Sequence, residues 1–372
     1  MKGLQGLSEQ RQRLARDYLY SGLAVTLIKV FAFLFLLLLA LGLGAHVSLE
    51  KFVRTYASEE WFAIGLYTLA GCVLFFLASL PFDYYKEYEI EKRFGLSSKT
   101  RLLWLKDKVK FSSLFLFFAF IFVGGTYHSM RVSPIFWWVS VWIGFNVVAV
   151  LFSYIAPVLI MPLFYKFPKL RDEELMERLV ALAKKAGINV MGVYEMKASE
   201  KTRKAIGALA GMGDTRRIIL SDTLLANFSS DEVEGVIGHE LGHHVFHHTE
   251  KILVLFIAFF LVALIITDRV LRATIGFFGL GDISTIASLP LLALILALCF
   301  AVFTPLMNTF SRWLEGQADQ YELDLVNKPD AYISFMTKLC DQNLRYAYPH
   351  PLVEFMFYDH PSGKKRLERA YQ

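Results

Sequence analysis

Between Ser21 and Ala45 the chain runs for 25 residues with a single charge, Lys29, and this run limits the fold more than any other feature. A hydrocarbon core roughly 30 Å thick takes about 20 apolar residues to cross as a helix. Three more apolar runs come before residue 170: Trp61 to about Phe82, about Phe111 to Tyr127, and about Ile135 to Leu163. Two follow, from about Ile252 to Thr267 and from about Leu289 onward, the last interrupted inside only by Pro305. The pattern predicts a mainly α, polytopic membrane protein with about six transmembrane helices. A hydrophobic share of 55% over 372 residues excludes a soluble enzyme of this size. No cleavage site of small residues follows the first run, which reads as an uncleaved span. Cys72, Cys299 and Cys340 cannot build a disulfide framework and lack zinc-ribbon spacing.

Loop charge orients the spans. Lys2, Arg11, Arg13 and Arg16 precede the first, Lys51 and Arg54 follow it, eight Lys or Arg lie between Lys86 and Lys110, and Arg131 alone separates the third from the fourth. The positive-inside rule then puts the N-terminus and the 83–110 loop in the cytoplasm. Splitting the 135–163 run in two would move Lys166, Lys169 and Arg171 outside, so one tilted span ending near Pro157 or Pro162 is expected. Lys29 is expected to snorkel toward the basic side. The net charge of +5 sits beside the spans, which favours lipid contact over nucleic acid.

From Asp172 to Ser221 the chain turns polar. Leu175, Leu179, Leu182, Ala183 and Ala186 mark an amphipathic helix over Asp172–Ala186 closed by Gly187. A short strand at Asn189–Glu195 follows, then a hairpin of Ala205–Met212 and Arg217–Ser221 around Gly213-Asp214-Thr215. Its edge strand could pair with an extended peptide.

Ser229 and Glu232 form a capping box ahead of His239-Glu240-Leu241-Gly242-His243. On a helix His239 and His243 share a face and can hold one zinc ion, with Glu240 in reach of an attacking water. Two helix-face histidines near a membrane would be the plain alternative. Five of the nine histidines fall between His239 and His248, which favours metal. A catalytic zinc needs a third protein ligand. The nearby candidates fail: Thr249 stands where a third His ten residues after the first would be, Phe246 replaces the accompanying Gly, and Glu250 lies about 10 Å too far along the axis.

The zinc helix is expected to run straight into span five, with span six its antiparallel neighbour. The two histidines lie about 26 residues inward of Thr267, and Glu315 about 26 residues inward of Leu289. At 1.5 Å per residue both are about 39 Å from the outer surface, which nominates Glu315 as the third ligand. Asp319, one turn further, can accept a hydrogen bond from a ligand histidine and fix its tautomer.

Several ordered motifs accompany this arrangement: Glu89-Ile90-Glu91-Lys92-Arg93-Phe94-Gly95-Leu96, Lys106-Asp107-Lys108-Val109-Lys110, Ile155-Ala156-Pro157 with Pro162-Leu163-Phe164-Tyr165-Lys166-Phe167, Arg217 to Leu225, Ser311 to Asp319, and His360-Pro361 with Arg366. With them the sequence resembles the type I CAAX prenyl endopeptidases, integral-membrane zinc metalloproteases of the gluzincin group. The resemblance implies one zinc ion on His239, His243 and Glu315, Glu240 as general base and acid, and His360 and Arg366 lining the cleft toward substrate or the developing oxyanion. It places Ile206, Gly207 and Ala208 on the substrate-binding edge strand. Family members carry Asn-Ala where this chain has Ile206 and Gly207, so backbone pairing is expected to hold the substrate. His248 matches a family histidine of unassigned role, and His244 and His247 read as interface or capping side chains.

The expected division is an N-terminal membrane domain over 1–168 and a zinc metallopeptidase domain over 169–372, a small α+β zincin-like segment on the cytoplasmic side. Six spans, against seven in eukaryotic members, suit a prokaryotic relative in the inner membrane. The substrate is a peptide or membrane protein, prenylated in a CAAX role and unprenylated in a quality-control role. A transporter with a structural zinc would need a fourth protein ligand and leaves Glu240 without a purpose; a non-catalytic adaptor sits poorly with an intact motif.

Overall fold

The computed structural model describes residues 7–211 and 213–371; Lys2 and Met212, named above, lie outside them. The membrane part begins with α1 (Glu9–Gly42), the short α2 (Ala45–Arg54) and α3 (Glu60–Tyr84), which passes through a π-helical turn at Tyr85–Ile90 into α4 (Glu91–Arg93). It continues with α5 (Arg101–Val132), started by the Thr100 hydroxyl accepting from the Leu103 amide, and α6 (Trp137–Ile155). The 135–163 run is thus one helix followed by a π-helical turn at Ala156–Ile160, as the charge argument requires.

After the fourth apolar helix comes α7 (Glu173–Lys185), capped by the Asp172 carboxylate at the Leu175 amide and closed by Gly187 at φ 73°. Then come β1 (Val193–Met196), β2 (Gly207–Ala210), β3 (Arg217–Ser221) and α8 (Asp222–Leu225). The sheet order is β1-β3-β2, with β1 parallel and β2 antiparallel to β3, so β2 is an edge. The chain ends with α9 (Ser230–Val245), α10 (His248–Thr274), α11 (Leu289–Val326), α12 (Pro329–Gln342), α13 (Pro351–Phe357) and α14 (Gly363–Arg369).

Among the described residues five helices are long and apolar enough to cross a membrane: α1, α3 with its extension, α5, α10 with the turn after it, and α11 with the turn before it. The remaining expected span is α6, whose apolar stretch Trp137–Phe152 is shorter. Their outward faces carry Phe31, Phe117 and Val302 in the open, an arrangement stable only against lipid. Inward, Trp137 and Tyr127 are fully buried, and the Trp137 indole N–H donates to Asp268 at 2.7 Å.

The Lys29 ammonium meets Asp83 of α3 at 2.5 Å, and Lys108 reaches the other Asp83 oxygen at 2.8 Å. Asp83 opens the basic 83–110 loop, so the side chain finds a counter-ion at the basic end of the bundle. One expectation is corrected: the zinc helix is not continuous with span five. Helix α9 ends at Val245, His247 takes a left-handed conformation (φ 53°), and α10 starts afresh at His248. No Gly or Pro marks the break, which is why helical periodicity alone runs through it.

The soluble core joins Leu179 of α7, Ile218 and Leu220 of β3, Ile237 and Leu241 of α9, and Phe335 of α12. The Ser229–Glu232 capping box is formed, and Lys338 braces the Glu232 carboxylate at 2.7 Å. Arg178 and Lys328 clasp Asp231 and Glu234 in the next turn, with Arg178 Nε at 2.8 Å from Glu234. Lys328 and then Arg178 hold the Asp231 carboxyl below its usual range; burial opposes ionisation of Glu234, but the same two cations outweigh it.

One face of α9 is glycine. A Cβ at Gly238 would meet Val326 Cγ2 at 2.8 Å, and one at Gly242 would meet the Ala318 Cα at 3.0 Å. Gly242→Ala should therefore force the backbones of α9 and α11 apart, costing about 1–3 kcal/mol as overpacking does, and the check is a lower Tm of the detergent-solubilised protein. Because the Asp231 and Glu234 pKa values are depressed in the fold, their contribution is complete above the unfolded values near 4 and is lost as pH falls through the folded ones. The Tm gap between the parent and Arg178→Met should thus narrow from pH 6 to pH 3; a gap of constant size would remove this ion cluster from acid stability.

Candidate metal centre

The helices α9 and α11 deliver three donor groups to one point. His239 and His243 lie one turn apart on α9, with their Nε2 atoms 3.1 Å from each other. Glu315 of α11 completes the triangle, Oε2 at 3.2 Å from His239 Nε2 and Oε1 at 3.3 Å from His243 Nε2. Only 5% of Glu315 is exposed, and its Oε2 has no hydrogen-bond partner among the described residues. Donor atoms about 2.0–2.1 Å from a shared ion at tetrahedral angles stand about 3.3–3.4 Å apart. Each imidazole–carboxylate approach is close to such an edge, through Oε2 for His239 and Oε1 for His243, and with one donor atom per residue all three lie within 4.8 Å of one another. A buried carboxylate oxygen without a hydrogen-bond partner among the described residues, facing the imidazoles, fits a cation.

Each imidazole is held from behind. His239 Nδ1 lies 3.0 Å from Asp319 Oδ1, as the helical spacing from Glu315 predicts. Burial alone would lower the His239 pKa, but the Asp319 and Glu315 carboxylates outweigh it and raise it to about 9 in the metal-free chain. His243 Nδ1 faces His248 Nδ1 at 2.9 Å. Glu240, half-buried beside the triangle, makes no hydrogen bond or ion pair among the described residues, which leaves its carboxylate free.

His360 comes to the same point from the loop before α14, with Nε2 at 3.2 Å from Glu315 Oε1 and Nδ1 at 2.8 Å from Asp359. Arg366 reaches the same group. The residue is 6% exposed, its guanidinium bonds Asp319 with Nε at 3.2 and 3.1 Å from the two carboxylate oxygens, and Nη2 is 3.3 Å from His239 Nδ1. It neutralises the carboxylate behind His239, and with His360 it lines the adjoining cavity.

The edge strand is joined to the site through His244, whose Nε2–H donates to the Leu209 carbonyl at 3.2 Å. Gly207 has a local reason: a Cβ there would lie 2.6 Å from Val236 Cγ1 of α9. Ile206 is tied by backbone and hydroxyl bonds to Ser221, and Ala208 pairs with Ile219, so among the described residues no strand pairs with the other side of β2. His247 is exposed and pairs with Glu250 at 3.5 Å. The spacing of Gly235, Gly238 and Gly242 could have flagged the contact face in the sequence; the pairing of His248 with Gln317 at 3.1 Å left no signal there.

Comparison with known proteins agrees with this architecture. Residues 169–372 match the model for peptidase family M48, and residues 4–166 match a CAAX prenyl protease N-terminal model described as having five membrane helices; among the described residues of that part, three helices are of span length and the apolar stretch of α6 is shorter. A Bacillus subtilis protein described as an uncharacterized metalloprotease, YhfN, is 31% identical over 299 residues, covering 79% of this chain and 70% of its own. The Saccharomyces cerevisiae CAAX prenyl protease 1 is 30% identical over 324 residues (78% and 68%), and its human homolog 27% over 352 residues (78% and 70%). The crystal structure of Ste24p from S. mikatae shares the fold, with a TM-score of 0.83 at 22% identity over 99% of this chain and 90% of that one. The chain is a multi-pass membrane metalloprotease and belongs to peptidase family M48, in the branch of the CAAX prenyl proteases.

Proposed function

We propose that the chain is a zinc endopeptidase in which His239, His243 and Glu315 hold the ion and Glu240 moves the proton. The observation that carries this is the convergence of His239, His243 and Glu315, with donor atoms within 4.8 Å of one another and Asp319 and His248 behind the two imidazoles. Two imidazoles and one carboxylate suit zinc and leave one position for water. Bound zinc supplies Lewis acidity, which brings the pKa of an attacking water toward neutrality. Glu240, adjacent to the first ligand and unpaired, takes the proton from that water and returns it to the leaving amine. His360, oriented by Asp359, offers Nε2 to the carbonyl oxygen as charge develops there. Arg366 acts at one remove, by fixing Asp319 behind His239.

The substrate lies along the free edge of β2, around Ile206, Gly207 and Ala208, where backbone groups pair with an extended peptide whatever its side chains. Prenylated CAAX-type peptides are the favoured substrates, since the yeast and human relatives carry that name. Unprenylated membrane proteins are the alternative, which the Bacillus relative's description leaves equally open. We place residues 1–168 in a membrane domain and the chemistry in 169–372, on the cytoplasmic side of a prokaryotic inner membrane. Two observations support that orientation: the excess of Lys and Arg between 86 and 110, and the packing of the start of α1 onto the soluble part, where Arg11 Nε donates to the Asp341 carbonyl at 3.0 Å.

Glu240→Gln should keep about one zinc per chain and lose at least about 100-fold in turnover. Glu315→Ala should lose the metal itself, read by elemental analysis; full zinc in that variant would move the third ligand elsewhere. Offered a farnesylated CAAX peptide and an unprenylated membrane-protein fragment, the purified protein should cleave the first faster and neither in the presence of chelator. Preference for the fragment would assign the quality-control role.

A further inference from the structure

We infer that His248 and Gln317 are positioning residues that decide which nitrogen of His243 carries its proton, and so keep Nε2 open to the ion. This rests on the ligand set proposed above. His243 Nδ1 and His248 Nδ1 are 2.9 Å apart, a distance that requires one proton between them. On the far side of His248, Nε2 is 3.1 Å from Gln317 Oε1. An amide oxygen only accepts, so His248 Nε2 holds a hydrogen. A neutral imidazole protonated there presents a lone pair at Nδ1, and the shared hydrogen therefore sits on His243 Nδ1. Neutral His243 then has its lone pair on Nε2, the atom facing His239 and Glu315.

Turning the Gln317 amide over would reverse every link. Its NH2 would donate to His248 Nε2, His248 would donate from Nδ1 to His243, and the hydrogen of His243 would land on the ligand nitrogen. The polarity of one neutral amide thus sets whether the second ligand can bind. The two imidazoles differ in this respect: His239 is backed by the Asp319 carboxylate with Arg366 upon it, whereas His243 is backed by a relay without net charge.

The surroundings hold the relay rigidly. His248 is 1% exposed and stacks on Phe246 at 5.7 Å with an interplanar angle of 20°. The left-handed His247 just before it is what brings the first residue of α10 back against α9. A non-glycine residue held in that region marks a place where the surrounding structure over-determines the backbone.

Three variants test the relay. His248→Phe keeps an aromatic ring in the slot and removes both nitrogens; Gln317→Met keeps length without an acceptor; Gln317→Glu restores an acceptor. Zinc affinity is read by chelator competition on the purified full-length protein, and the Tm of the metal-stripped protein reports folding. His248→Phe and Gln317→Met should weaken zinc by about 10–100-fold, the usual effect of losing an outer partner, with stripped Tm values near the parent's. Gln317→Glu should bind at least as tightly as the parent. Parental affinity in Gln317→Met, or equal losses in Gln317→Met and Gln317→Glu, would overturn the inference, and this pair decides it even where His248→Phe does not fold. His243→Ala and Glu315→Ala in the same assay separate the two readings: retained zinc there refutes the ligand set, while lost zinc there with parental affinity in Gln317→Met refutes the relay alone.

Discussion

The structure depends on one contact, the approach of α9 to α11 across a face without side chains. With Ala318 Cα only 3.0 Å from where a Cβ of Gly242 would stand, the two backbones are as close as helices allow. A carboxylate on one and imidazoles on the other therefore share a point with no long side chain to reach across. Short, buried donors lose little conformational freedom when they converge, and the geometry needed for a small cation is set by backbone packing before any ion arrives. The same face extends to Gly235, where a Cβ would meet Phe335 at 2.6 Å, so α12 is drawn into the arrangement as well.

Around that point, burial forces every polar group to find a partner. Asp319 is completely buried and accepts from Arg366 and Arg369 while facing His239. Removing either arginine would leave a buried carboxylate short of donors, which is costlier than losing a surface ion pair. Glu240 is the contrast: half-buried and unpaired, it stays free to exchange a proton. The His244 bond to Leu209 ties the edge of the sheet to the same helix, so the strand that would present a substrate and the group that would attack it are referenced to one element.

Much of this was legible before any coordinates. The apolar runs placed the spans, the capping box placed the start of α9, and the depth comparison pointed to Glu315 among 34 acidic residues although the helix it counted along is broken at His247. Hydrophobic length and local capping are legible because they are properties of short segments. The rest was not legible for physical reasons. The left-handed break at His247 has no Gly or Pro to mark it, and the partners of Lys29 and Arg366 lie 54 and 47 residues away along the chain. His248 and Gln317 lie 69 residues apart, and neither carries a local pattern that predicts their pairing.

The break at His247 also makes the two arms of the centre mechanically unlike. Glu315 rides on α11, a 38-residue helix that runs without a break from Leu289 through Glu315. The imidazoles ride on a 16-residue helix joined to its span through a single left-handed residue. A rotation of span five about that joint need not turn the imidazoles with it, whereas any rotation of span six carries Glu315 along.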